Sequence, residues 1–254
     1  MADRFSPIGV FDSGVGGIGT LAALRRELPQ ERFLFYGDTA NAPYGTKSRE
    51  EVRNLSFAVA EKLIARGIKA LVVACNTATS AAIEELRQAY PDLIVIGIEP
   101  ALKVAADRFP GGTLGVMATT MTLREEKFSH LLERFSDTCQ VIKLPAPGLV
   151  ELIEAGKADS PETEEFLRPL LAPYRGKLDA LVLGCTHYPF AAKVVSRLLG
   201  DKTMLLDGGE GTARETRRRL AKAGLLRTGT GEITIENSLG DEKLIQLSFD
   251  LLNK

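Results

Sequence analysis

Ala70-Leu71-Val72-Val73-Ala74-Cys75 and Ala180-Leu181-Val182-Leu183-Gly184-Cys185 are one pattern repeated at an offset of 110 residues. Each is a short apolar run without a polar face, which is how a strand buried on both sides of a parallel sheet reads. Each ends in cysteine, a residue of which the chain has 3. A second pair of stretches, Gly9-Val10-Phe11 and Gly115-Val116-Met117, matches at an offset of 106. One apolar pentapeptide carries little weight, because such strands resemble one another. Two matches at nearly one offset, one of them closing on a rare residue, point to an internal duplication.

Working outward, apolar runs alternate with amphipathic stretches of helix length. Ile8–Phe11 predicts a buried strand followed by a glycine-rich turn, and Ile18–Leu28 predicts a helix stopped by Pro29. Arg32–Tyr36 is strand-like. Arg49–Arg66 carries Val52, Leu55, Val59 and Leu63 at helical spacing, with Gly67 at its end. Asn76 and Thr77 can open a helix that runs from Thr79 to Tyr90, and Leu93–Ile98 is a further strand. In the second half Thr113–Met117 and Ala180–Gly184 predict strands and Glu125–Phe135 a helix. Strands separated by helices imply a parallel sheet covered on both faces. The expectation is an α/β protein of two pseudo-symmetric α/β domains, their parallel sheets facing across a cleft. The first would be discontinuous, 1–98 plus 208–254, and the second 99–207. The chain would cross at Glu99-Pro100-Ala101 and return at Asp207-Gly208-Gly209-Glu210-Gly211.

Composition narrows the partners. The chain has 254 residues, 44% hydrophobic and 26% charged, with a net charge of −1. Without a basic field to hold a phosphate backbone, no nucleic-acid partner is expected. Met1-Ala2-Asp3-Arg4-Phe5-Ser6-Pro7 lacks the apolar core of a secretory signal. No run approaches the ~20 apolar residues of a membrane span. A cytoplasmic protein without a membrane partner is therefore expected. Cys75, Cys139 and Cys185 form no CxxC pair, so neither a disulfide framework nor a metal site is expected.

Asp12-Ser13-Gly14-Val15-Gly16-Gly17-Ile18-Gly19 contains GxGxxG between a strand and a helix, with Asp38 beyond the next strand. That matches the dinucleotide fingerprint. Asp12 argues against it, since a carboxylate at the strand end would repel a pyrophosphate. A tight turn that needs glycine for backbone reasons is the simpler reading, and it leaves Asp12 and Ser13 at the end of a strand where open α/β sheets place ligands. Cys75 and Cys185 each end a strand and precede an expected helix start, where a thiol pKa falls and N–H groups await a carboxylate. If the domains are related by a pseudo-twofold, the thiols enter one cleft from opposite sides. That is what a two-base proton transfer at a chiral carbon needs. Cys139 lacks this context and reads as structural, His130 as a surface residue and Arg217-Arg218-Arg219 as a solvated helix face. His187 can reach Cys185 or a substrate. Glu154, taken alone, reads as a solvated residue near a helix end at Gly156.

These residues resemble the glutamate racemases of the cofactor-independent aspartate/glutamate racemase superfamily. The resemblance rests on Gly9-Val10-Phe11-Asp12-Ser13-Gly14-Val15-Gly16-Gly17, Tyr36-Gly37-Asp38 with Pro43-Tyr44-Gly45, Val73-Ala74-Cys75-Asn76-Thr77-Ala78, and Leu183-Gly184-Cys185-Thr186-His187-Tyr188-Pro189. It runs from about residue 7 to the segment near 215. The Thr-His-Tyr-Pro continuation is similar to the glutamate branch rather than the aspartate branch. The resemblance implies Cys75 and Cys185 as catalytic bases, Cys75 for D-glutamate and Cys185 for L-glutamate. It implies substrate contacts at Asp12, Ser13, Tyr44, Gly45, Asn76, Thr77, Thr119, Thr186 and His187, with Thr122 beside them, and auxiliary acids at Asp12, Asp38 and Glu154. Ala118 stands where a glycine is usual, and Pro145-Ala146-Pro147 where many members read Ala-Cys-Pro. No cofactor is implied, a homodimer is, and the product would be D-glutamate for peptidoglycan. Three rival readings remain: a relative acting on aspartate, a nucleotide-binding module built on Gly14, Gly16 and Gly19, and a binding protein that holds glutamate without exchanging its α-hydrogen.

Overall fold

A computed structural model describes residues 3–98, 101–124, 135 and 138–253. The helix expected over Glu125–Phe135, His130 included, lies outside these residues except for Phe135. Among the described residues the strands are β1 (Ile8–Asp12), β2 (Arg32–Gly37), β3 (Ala70–Val73), β4 (Ile94–Gly97), β5 (Thr113–Ala118), β6 (Gln140–Pro145), β7 (Ala180–Leu183), β8 (Met204–Asp207) and β9 (Glu232–Asn237). The α-helices are α1 (Ile18–Glu27), α2 (Arg49–Ala65), α3 (Asn76–Ala89), α4 (Leu102–Arg108), α5 (Thr120–Arg124), α6 (Leu149–Glu154), α7 (Pro161–Leu171), α8 (Ala192–Leu199), α9 (Gly209–Lys222) and α10 (Glu242–Leu252). None of them is long and apolar enough to cross a membrane.

The chain divides into two compact units, Met1–Glu99 with Gly209–Lys254, and Pro100–Gly208. Each holds one wholly parallel sheet. In the first the strand order is β4-β3-β1-β2-β9, in the second β6-β5-β7-β8. Read from the other edge, the second order is β8-β7-β5-β6, the counterpart of β4-β3-β1-β2. The register repeats as well: Gly9 pairs with Leu71 in the first sheet, and Gly115 with Leu181 in the second. The two sequence offsets are thus one structural repeat, and the first sheet adds β9 at its edge.

The pleat explains why the strands have no polar face. Leu181 and Leu183 join Met117 and Leu144 in a cluster with α6, α7 and α8, while Ala180 and Val182 join Leu114 and Val116 in another with α4. Successive side chains enter opposite layers, so every position must be apolar. In the first unit Val10, Phe35 and Val72 pack with Leu21 and Leu24 of α1, Ala213 and Leu220 of α9, and Leu252 of α10.

Helix ends follow local chemistry. Ser48 caps α2 in a reciprocal box with Glu51: Glu51 N–H donates to Ser48 Oγ, and Ser48 N–H donates to the Glu51 carboxylate at 2.9 Å. That satisfies two of the helix's orphan donors. Ser160 caps α7, with Pro161 in its first turn.

One buried charge pair ties the discontinuous unit together. Lys69 Nζ lies 2.5 Å from Glu31 Oε2, both side chains are essentially inaccessible, and Nζ also donates to the carbonyls of Arg4 and Leu225. Arg227 N–H donates to the other Glu31 oxygen at 2.9 Å. The entries to β2 and β3 are thereby bolted to the segment that leads into β9. Removing one partner strands a charge in the interior. Lys69→Met is expected to cost about 3–5 kcal/mol in urea unfolding, with much of that recovered in Lys69→Met/Glu31→Leu. A single variant within 1 kcal/mol of wild type would show that the bolt carries no stability.

Candidate active site

Both sheets reverse their winding at the same place. From β1 the chain goes to β2 on one side and to β3 on the other, so the flanking helices leave on opposite faces and open a crevice at the carboxyl ends of β1 and β3. β1 ends at Asp12, and Cys75 follows β3. In the second unit β5 leads into Thr119, and Cys185 follows β7. One backbone bond past each strand sets the cysteine: Ala74 N–H to Phe11 O at 2.8 Å, and Gly184 N–H to Met117 O at 2.7 Å. Cys75 and Cys185 hold equivalent positions in the repeat, and both are buried.

In the first unit Asp12 is fully buried, and its Oδ1 accepts Gly14 N–H at 2.9 Å. Cys75 caps α3: its Sγ accepts Ala78 N–H at 3.4 Å and stands 3.8 Å from Ser13 Oγ. A thiolate gains there from the N–H groups and dipole of a 14-residue helix. Asn76 and Thr77 form the first turn of α3 and are buried. Asn76 Oδ1 has no hydrogen-bond partner among the described residues. Asp38, just past β2, is also buried and accepts Tyr44 O–H at 2.6 Å and Asn41 Nδ2–H at 3.0 Å. Burial, then the bond to Asp38, then the charges of Asp38, Cys75 and Asp12 hold the Tyr44 phenol far above its ordinary pKa. It therefore stays a hydrogen-bond donor.

The second unit is built differently, and here one expectation fails. No α-helix begins after Cys185. Thr186 and His187 lie in a turn, Tyr188–Ala191 forms a 3-10 turn, and α8 starts only at Ala192. The reason is Pro189. After Cys75, Thr79 N–H donates to Cys75 O at 2.9 Å, the first bond of an α-helix. Pro189 occupies the matching place and has no N–H. Tyr188 N–H takes the Cys185 carbonyl instead, at 3.1 Å, which tightens the turn. What Cys185 has in place of a long helix is His187, whose Nδ1 lies 4.0 Å from its Sγ. His187 Nε2 lies 2.9 Å from Glu154 Oε1. A carboxylate accepts, so Nε2 carries a hydrogen and Nδ1 is the ring nitrogen turned toward the thiol. Glu154, at the end of α6, therefore serves His187 rather than only solvent. Thr119 and Thr122 are buried and share a 3.0 Å hydroxyl bond.

The glycine turn is no dinucleotide cradle. Asp12 takes the N–H of Gly14, and the glycine that sterics demand is Gly17. A Cβ there would lie 2.6 Å from Asp12 Cβ and 3.0 Å from Phe35 Cε2, whereas one on Gly19 meets nothing within 4 Å.

The sequence matches the Asp/Glu/Hydantoin racemase family over residues 19–216. It is 50% identical to a glutamate racemase of Clostridium acetobutylicum over 256 aligned residues, covering 100% of both chains. The chain belongs to the glutamate racemase family. Among solved structures it is similar to a glutamate racemase isoform of Bacillus anthracis, with a TM-score of 0.90 at 30% identity, covering 99% of this chain and 95% of that one. It is also similar to the Francisella tularensis glutamate racemase solved in complex with D-glutamate, with a TM-score of 0.86 at 27% identity and the same coverage. The enzyme is thus an amino-acid racemase.

Two side chains that the sequence reading did not single out belong with these half-sites. Asn41 shares Asp38 with Tyr44; an amide three residues after a buried acid was the available signal. Tyr188 is fully buried within the Cys185 motif and donates to Ala146 O at 3.1 Å. Burial, then the charges of Cys185 and Glu151, raise its phenol pKa.

The glycines give a test of the turn. Gly19 is exposed inside α1, so Gly19→Ala is expected to stabilise the protein by about 0.5–1 kcal/mol and leave racemase activity intact. Gly17→Ala must displace Asp12 or Phe35 and lower activity. Urea midpoints and initial rates for the two variants decide it, and a crippled Gly19→Ala would return the fingerprint reading to contention.

Proposed function

We propose that this racemase interconverts L- and D-glutamate without a cofactor, with Cys75 and Cys185 as its two bases. The observation that carries the reading is the equivalent placement of two cysteines, each just past the inner strand of its own sheet beside the switch point. The assignment to glutamate draws on the relatives, which include one solved with D-glutamate, and on the Thr186-His187-Tyr188-Pro189 motif.

The chemistry follows from acid strength and geometry. An amino-acid α-proton is very weakly acidic, so its removal needs a positioned base and a site that holds the developing negative charge. In the D-to-L direction the Cys75 thiolate takes the α-proton, and the Cys185 thiol delivers its own to the opposite face. Cys75 becomes thiol and Cys185 thiolate, and the reverse reaction begins from that state. The mechanism requires both thiols to meet one α-carbon from opposite sides. The first turn of α3 offers N–H donors to a substrate carboxylate. The unpartnered Asn76 Oδ1 and the Asp12 carboxylate suit the substrate ammonium. Ser13, Tyr44, Gly45, Thr77, Thr119, Thr186 and His187 complete the proposed contacts. A homodimer, a cytoplasmic setting and the supply of D-glutamate to peptidoglycan belong to the same proposal. The family resemblance supports them.

Polarimetry on Cys75→Ala and Cys185→Ala is expected to show each losing about 10²–10⁴-fold or more in rate, because each thiol acts in every turnover. Near-native racemisation by either variant would sink the two-base scheme. Asp12→Asn is expected to lower kcat while leaving the urea midpoint close to wild type. One methylene in a pocket is worth only about 1–3 kcal/mol, so strong selectivity needs donors fixed at the distal carboxylate. Glutamate should exceed aspartate in kcat/KM by more than about a hundredfold. Equal values would remove the glutamate assignment and leave the racemase chemistry standing.

A further inference from the structure

Asp38 is a carboxylate at the edge of the catalytic half-site, and the family resemblance casts it as an auxiliary acid. Its surroundings give it other work. Both of its oxygens already accept hydrogen bonds from one short loop. Tyr44 O–H reaches Oδ2 at 2.6 Å, and Asn41 Nδ2–H reaches both oxygens at 3.0 Å. The loop consists of two single 3-10 turns, Thr39–Asn41 and Tyr44–Thr46. Short turns of this kind have poor hydrogen-bond geometry and little stability of their own. Their donors are Asn41 N–H to Asp38 O, Ala42 N–H to Thr39 O and Lys47 N–H to Tyr44 O, one bond each. Asp38 itself does not move with the loop. Its N–H donates to Asp12 O at 2.9 Å, which continues the β1–β2 ladder. The Tyr44 ring is buried to 1% exposure, while Gly45, the next residue, reaches the surface.

We infer that Asp38 is a positioning residue that pins the 39–47 loop, through Tyr44 and Asn41, to the end of β2 and so fixes the Tyr44-Gly45 backbone for a substrate carboxylate. This rests on the proposed glutamate site and deepens it. Two donor groups of one loop, the Tyr44 phenol and the Asn41 amide, occupy both of its oxygens in three contacts. The work it does is geometric. A loop displaced by about 1 Å loses donor alignment at the substrate carboxylate, which is felt in binding before it is felt in proton transfer.

The test uses Asp38→Asn, Tyr44→Phe and the double variant, with Asn41→Ala as a milder lesion that keeps the test alive if Asp38→Asn does not fold. Kinetics with glutamate are expected to show KM rising about tenfold in each of the first two. Their kcat stays within about threefold of wild type, and both limbs of the pH–rate profile stay in place. The double variant should be no worse than the worse single, because both remove one clamp. Hydrogen exchange supplies a readout that needs no substrate. Amides of 39–47 should exchange at least about tenfold faster in Tyr44→Phe, with β1 and β3 unchanged. A hundredfold fall in kcat, or a lost pH limb, in Asp38→Asn beside a near-native Tyr44→Phe would make Asp38 an acid–base catalyst and overturn the proposal. Wild-type kinetics together with wild-type exchange in Tyr44→Phe and Asn41→Ala would overturn it equally. If wild-type protein does not racemise glutamate, the glutamate reading fails, and the exchange arm still decides the clamp.

Discussion

A single backbone hydrogen bond in each sheet places the cysteine proposed as a base: Ala74 N–H to Phe11 O in one, Gly184 N–H to Met117 O in the other. Each extends a parallel ladder one step past its last apolar residue, and the next residue is the cysteine. The cysteine therefore stands beside the exit of the central strand, at the switch point of its sheet. Side chains that must be rigid hang from the most rigid part of the fold, and only the loops after them vary. The buried strands behind each cysteine leave no room for slippage, because a one-residue shift would exchange the two core layers on either side of the sheet.

Equivalent placement does not mean equivalent surroundings. Cys75 sits on the N-terminus of a long helix. Cys185 sits on a tight turn, with His187 and Glu154 behind it. One residue separates the two designs, Thr79 in the first and Pro189 in the second, since a proline there withholds the N–H that would start an α-helix. The thiols thus have different neighbours, a helix terminus for one and an imidazole hydrogen-bonded to a carboxylate for the other.

Much of this was legible in the residues. Strands β1 to β5 and β7 were read from apolar runs and the repeat from two offsets near 110, while β6, β8 and β9, edge strands with mixed burial, were not. The helix limits Pro29 and Gly67 were correctly read, and the equivalence of Cys75 and Cys185 was visible before any coordinates. What was misread has a local cause. The helix start expected after Cys185 ignored the proline four residues on, although Pro189 was in plain view. What was invisible is contact across loops. Asp38 and Tyr44 were both named, but six residues of sequence separation gave no sign that one holds the other. Nor could 33 residues show that Glu154 meets His187. The glycine pattern misdirects for a related reason: GxGxxG counts positions, while the crowding around Asp12 selects Gly17.

The origin of the returning α-hydrogen tests the two-thiol account most directly. L-glutamate is turned over in deuterium oxide, the reaction is stopped early, and both enantiomers are separated and weighed by mass spectrometry. Two bases on opposite faces predict that the D-glutamate formed carries deuterium at the α-carbon, because the delivering thiol has equilibrated with solvent, while the L-glutamate recovered remains unlabelled. Early deuterium in both enantiomers alike, or protium carried over into the D-glutamate, would contradict the account, since either outcome means that one group serves both faces, returning a hydrogen exchanged with solvent in the first case and the abstracted proton in the second.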